Sequence, residues 1–184
     1  PAEIIVSNGA KHSLFTALAA ILNPGDEVLI PAPCWLSYPE LVRMTGGVAV
    51  EVMGDEKGNF VLGADELKRH VTERTKAIVI CSPSNPNGCV WTEQMLQGIA
   101  DLAVERGLYV ISDEIYEKLI YDGLKHVSIA SLGEGIKRQT IIINGHSKAY
   151  AMTGWRIGYA AGPADVIKAM SAFQSHSTSN ANSI

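Results

Sequence analysis

Ala77-Ile-Val-Ile-Cys81, then Ser82-Pro-Ser-Asn-Pro-Asn-Gly88, then residues 92–113, Thr-Glu-Gln-Met-Leu-Gln-Gly-Ile-Ala-Asp-Leu-Ala-Val-Glu-Arg-Gly-Leu-Tyr-Val-Ile-Ser-Asp, decide the fold. An unbroken apolar run closed by proline and glycine reads as a strand buried on both faces. Thr92 is placed to cap a helix that carries Glu93 in its first turn and runs to Arg106. Residues 108–112 are a second buried strand, with Asp113 at its end. The same alternation extends in both directions. Strands are expected at 4–7, 27–30, 48–52, 140–143 and 157–161, and helices at 11–22, 36–45, 64–74 and 165–175, with 117–138 irregular. The fold class is therefore α/β: three α/β/α layers around a mostly parallel, about seven-stranded sheet. Right-handed crossovers bring the C-terminal ends of such strands to one edge, where sheets of this class bind ligands.

Composition narrows the function classes. With 184 residues, 47% of them hydrophobic, the chain is long and apolar enough for one domain with a real core. A formal net charge of −4 offers no electrostatic footprint for nucleic acid or for an anionic membrane. The apolar runs are too short to span a bilayer, and no signal peptide is visible. Cys34, Cys81 and Cys89 are odd in number and contain no Cys-x-x-Cys pair, which points to reduced thiols in a cytoplasmic protein. Neither these nor His12, His70, His126 and His176 have the spacing of a metal site, so no metal is expected. The chain opens on a strand and closes on the polar run 175–184, and reads as a portion of a longer protein.

Five distinctive groups fall at five strand ends. Ser7-Asn-Gly-Ala-Lys11 is a strand-to-helix turn, in which Gly9 would let the backbone approach a ligand and the amides of Ala10 and Lys11 would seat a phosphate; it also suits an ordinary Asn-Gly turn. Trp35 either stacks on a flat heteroaromatic ring or anchors the next helix in the core. Asn85, held by Asn85-Pro86, offers an amide to a phenolate oxygen, or belongs to a plain proline-rich loop where a cis bond is plausible. Asp113 ends a buried strand, so its carboxylate needs a partner; a protonated pyridine nitrogen is one, and the N–H groups of the following turn are another. Tyr116 can reach the same phenolate oxygen as Asn85. Lys148 lies in Asn144-Gly-His-Ser-Lys-Ala-Tyr-Ala-Met-Thr-Gly-Trp-Arg-Ile-Gly158, ahead of Arg156. That is the pattern of a lysine holding pyridoxal phosphate (PLP) as a Schiff base, kept from full solvation so that its amine is nucleophilic. Arg156 would fork onto the phosphate and Ser147 add a hydroxyl; a solvated surface lysine is the alternative for Lys148.

These segments, in this order and over nearly the whole chain, resemble the fold-type I PLP enzymes, and within them class I aminotransferases of the aspartate aminotransferase kind. The most specific is Ser147-Lys-Ala-Tyr-Ala-Met-Thr-Gly-Trp-Arg-Ile-Gly-Tyr159. The resemblance implies that residues 1–184 are a PLP-binding large domain, with the small domain absent from this chain. It implies an aminotransferase that exchanges an amino group between an amino acid and a 2-oxo acid, homodimeric at full length. By the same resemblance Lys148, Asp113 and Tyr116 are catalytic. Gly9, Ala10, Lys11, Trp35, Asn85, Ser147 and Arg156 join them around the cofactor, Trp35 and Asn85 also touch substrate, and cis bonds precede Pro33 and Pro86. Asn87 stands where the family has threonine, His146 where it has an apolar residue, and Gly145 where a phosphate-binding serine is common. A lyase or synthase of the same fold, or the sensor domain of a transcription regulator, would share this core.

Overall fold

The computed structural model describes residues 2–55, 60 and 62–183, so the domain read over 1–184 is described except at its two terminal residues and at 56–59 and 61. Its elements follow in the order β1 (Ile4–Ser7), α1 (Ala10–Ile21), β2 (Glu27–Ala32), α2 (Ser37–Met44), β3 (Val48–Met53), α3 (Ala64–Arg69), β4 (Thr75–Cys81), α4 (Glu93–Arg106), β5 (Tyr109–Asp113), α5 (Glu134–Lys137), β6 (Thr140–Gly145), β7 (Gly158–Ala161) and α6 (Ala164–Ser175). Short 3-10 turns lie at Ile129–Ser131 and Thr153–Trp155. The strands form one seven-stranded sheet in the order β1-β7-β6-β5-β4-β2-β3. All neighbouring pairs are parallel except the two made by β7, which runs against β1 and β6.

Side chains alternate across the sheet and feed two apolar layers. Val28, Ile30, Val79, Ile111, Ile141 and Ile143 face one layer with residues of α1, α2 and α6. Leu29, Val52, Ile78, Ile80 and Val110 face the other, with residues of α3, α4 and α5. This double burial is why β4 carries no polar residue between Ala77 and Cys81. The crossover α4 is closed at both ends. The Thr92 hydroxyl accepts the Met95 N–H (3.3 Å), and Gly107, at φ +65°, turns the chain so that the Leu108 N–H reaches the Ala103 carbonyl (2.9 Å).

Two elements differ from the sequence expectation. The helix expected over 64–74 stops at Arg69. Buried Glu27 needs partners, and it takes the Thr72 hydroxyl at 2.6 Å and the Arg74 guanidinium at 2.9 and 2.6 Å. Thr72 and Thr75 also close a local turn, with the Thr72 N–H donating to Thr75 Oγ1 (2.8 Å), which competes with helix. Strand β2 in turn runs past the expected end at Ile30 to Ala32. Its pairing with β4 stops at Leu29, and from there only β3 is a neighbour, so the missing N–H of Pro31 can face the unpaired side.

Thr92 is exposed, and its cap bond is the interaction lost in Thr92→Ala. That variant is expected to unfold with about 1 kcal/mol less stability in urea titration, with an unchanged m-value.

Candidate active site

The C-terminal ends of β2, β4 and β5, the segment after β6 and the start of α1 enclose a cleft of about 300 Å³. Its walls include Ala10, Lys11, Trp35, Asn85, Asp113, Tyr116, Ser147, Lys148 and Arg156. Nine of the ten residues singled out in the sequence thus meet in one hollow, and the tenth, Gly9, lies directly behind it.

Asp113 is the deepest of the charged groups, 3% exposed at the end of β5. One carboxylate oxygen accepts the Tyr38 hydroxyl (Oδ2, 2.7 Å) and the other the Ile115 N–H (Oδ1, 3.2 Å). The two sequence alternatives therefore combine: Asp113 does tie the next turn, and it still faces the cleft. Among the described residues no lysine, arginine or histidine forms an ion pair with it. Burial pushes its carboxyl up to about 6; the bonds from Tyr38 and Ile115 pull the other way, and the nearby charge of Glu114 adds to the rise.

Across the cleft, the Asn85 amide donates to the Tyr116 hydroxyl at 3.5 Å, so both reach one region as expected. Burial, then Cys81 and Asp113, raises the Tyr116 phenol. The bonds before Pro33 and Pro86 are cis, as is that before Pro83, which the sequence did not single out. Trp35 is half-buried, meets Tyr38 edge-on (5.4 Å between centroids, 87°), and has the Lys11 ammonium 4.7 Å from its ring centre. Lys148 Nζ stands 5.9 Å from the Tyr116 ring centre. Lys148 is exposed, against the expectation that it be held from water, because the cleft is open on that side.

Gly9 does its work through Arg156. Helix α1 begins with no side-chain cap, which leaves its first N–H groups to a ligand. Gly9 sits there at φ +86°, and a Cβ on it would collide with Arg156 Nη2. The guanidinium thus occupies the space a side chain would fill, beside the open end of α1. Arg156 itself is in the left-handed region (φ +53°), and its Nη1 donates to the Thr153 carbonyl at 2.7 Å.

The sequence did not single out Tyr38, Leu14, Ile115 or Thr153, which also line the cleft. Tyr38 carried a signal: it follows Trp35 by three residues, and its N–H donates to the Trp35 carbonyl (3.0 Å), so both rings leave the start of α2 together. Glu114, Glu117 and His126 bring ligand-type atoms within 4.8 Å of one another behind β5. There Glu114 already accepts from Ser112, Ser128 and His126. His146 stacks on Tyr150 and is not part of the cleft wall.

The sequence pattern of the family described as aminotransferase class I and II matches residues 1–184. The chain belongs to this family. It is 55% identical over all its 184 residues to an aspartate aminotransferase of Geobacillus stearothermophilus, of which it covers 47%. It is 51% identical over 180 residues to a probable aspartate/prephenate aminotransferase of Aquifex aeolicus, covering 98% of this chain and 46% of that one. Among solved structures, Thermus thermophilus aspartate aminotransferase with maleate superposes with a TM-score of 0.93 at 49% identity, over 98% of this chain and 46% of that one. The Rhizobium meliloti aspartate aminotransferase gives 0.95 at 42% identity, over 99% and 46%. The aminotransferase-family chain thus spans about half the length of these relatives, and its sheet is that of the PLP-dependent transferase large domain. Among the described residues no helix is long and apolar enough to cross a membrane.

Gly9→Ala is expected to displace the Arg156 guanidinium and weaken binding of a phosphate ester by about tenfold, read by fluorescence titration. Asp113 yields a pH dependence. Burial pushes its carboxyl up to about 6 in the native chain from an ordinary 3.8, so the native state holds the proton more tightly. Its stabilising contribution is full below pH 3.8 and is lost as pH rises through about 6. Unfolding free energy of Asp113→Asn should therefore gain on that of the wild type by up to about 3 kcal/mol between pH 4 and pH 7, and a constant difference would contradict the assignment.

Proposed function

We propose that this chain is the PLP-binding large domain of an aminotransferase that exchanges an amino group between an amino acid and a 2-oxo acid. The observation that carries it is the buried Asp113 carboxylate, which faces the cleft with only neutral donors around it. A protonated ring nitrogen satisfies that carboxylate and suits no other wall of the cleft as well. The remaining groups fit the same cofactor. Arg156 and the open end of α1 take the phosphate, Asn85 and Tyr116 take the ring oxygen, Ser147 adds a hydroxyl, and Trp35 covers a ring face. When bound, PLP supplies a positively charged ring that draws electrons from the reacting carbon.

The chain's own residues do the rest. Asp113 holds the charge of the ring nitrogen. Lys148 Nζ would hold the cofactor and, when freed, would act as general base and acid, moving a proton between the substrate Cα and the cofactor carbon that had carried the lysine. Trp35 and Asn85 orient the substrate. The names of the relatives, aspartate and aspartate/prephenate aminotransferases, favour an acidic amino acid and a 2-oxo acid over the chemistry of a lyase, a synthase or a sensor domain. A homodimer at full length and a cytoplasmic setting are part of the same proposal. Neither nucleic acid nor membrane has a place in it.

Incubation with PLP should give a visible absorbance band that borohydride fixes, and peptide mapping should find the label on Lys148. Lys148→Ala should abolish both. Label on another lysine, or none, would remove the proposal. Because the chain spans about half of its relatives, it is expected to transaminate aspartate far more slowly than a full-length aminotransferase.

A further inference from the structure

Tyr38 belongs to α2, yet its hydroxyl makes the single side-chain bond that the described residues offer to the most buried acid of the cleft. The ring is 3% exposed, packed in the core and edge-on to Trp35. Its phenol stays protonated, because burial first and the charge of Asp113 next hold it well above its ordinary value of 10. The bond therefore has a fixed sense while Asp113 is ionised, with Tyr38 donating and Asp113 accepting. A cation in this place would cancel the carboxylate charge; a phenol solvates it and leaves it intact. The Ile115 N–H fixes the other oxygen, so the two donors together set the plane of the carboxylate.

We propose that Tyr38 is a positioning residue for Asp113, whose hydroxyl holds the carboxylate ionised and turned so that its remaining lone pairs face the cleft. This rests on the proposed cofactor only in its consequence, since the bond itself is a property of the chain. The groups that face Asp113 are Tyr38 from α2, Cys81 opposite it on β4, Glu114 beside it, and Tyr116 in the next turn, with Lys148 across the cleft. Of the titratable groups among these, Tyr38 alone donates a hydrogen bond to it.

Carbon NMR of side-chain carboxyls in the chain without cofactor tests this, with the Asp113 signal assigned by its loss in Asp113→Asn. In Tyr38→Phe the titration midpoint should rise by about one pH unit above that of the wild type, the equivalent of one lost charge-assisted bond. Tyr38→His, which restores a donor, should titrate at or below the wild-type midpoint. PLP affinity at pH 8 should fall about tenfold in Tyr38→Phe and recover at least in part in Tyr38→His. An unshifted midpoint in Tyr38→Phe overturns the inference even if PLP binds. A shifted midpoint in a chain that binds no PLP supports the inference and removes the proposed function instead. Loss of fold in both variants would make Tyr38 a packing residue and overturn the inference as well.

Discussion

A carboxylate taken out of water at the end of a strand, with no cation among the described residues paired to it, is the constraint on which this site depends. Asp113 is held by two neutral donors, and burial outweighs them, so its carboxyl is pushed up to about 6. Such a group is costly in the empty protein and favourable only when a positive charge enters the cleft. Under the proposed function that instability would be the source of selectivity: a ligand that brings a protonated ring nitrogen would relieve it, and a neutral ring would not.

The sheet makes this arrangement easy to build. Parallel strands place their C-terminal ends together, so groups far apart in the chain, from Gly9 to Arg156, need only follow their strands by a few residues to meet. The reversed strand β7 brings Arg156 back toward the first turn. Gly158 pairs with Ser7, and the space left by Gly9 receives the guanidinium. The proposed phosphate seat would thus be shared between two ends of the chain, and neither end would make it alone. Left-handed backbone at Arg156 is the local strain that accompanies this, offset by the surrounding pairs.

Much of this was legible in the sequence where the physics is local. The apolar run of β4, the Thr92 cap and the end of α4 at Arg106 follow from burial on two faces and from unsatisfied helix ends. The groups at strand ends were legible too, because strand position and chemical type coincide. What was not legible depended on distant partners. The early end of α3 follows from Glu27, more than forty residues away, which claims Thr72 and Arg74. The bond from Tyr38 to Asp113 spans 75 positions and leaves only a weak mark, a tyrosine one helical turn after a tryptophan.

The amino-acid order by itself determined the α/β alternation and the chemical identity of the cleft's walls, since periodicity, caps and residue type are properties of short segments. Only the tertiary structure decided that Gly9 serves Arg156 and does not line the cleft, that Lys148 stands open to water, and that Asp113 is steadied by a phenol. Each of those is a matter of which atoms fill a given space, and that is settled when remote segments pack against one another.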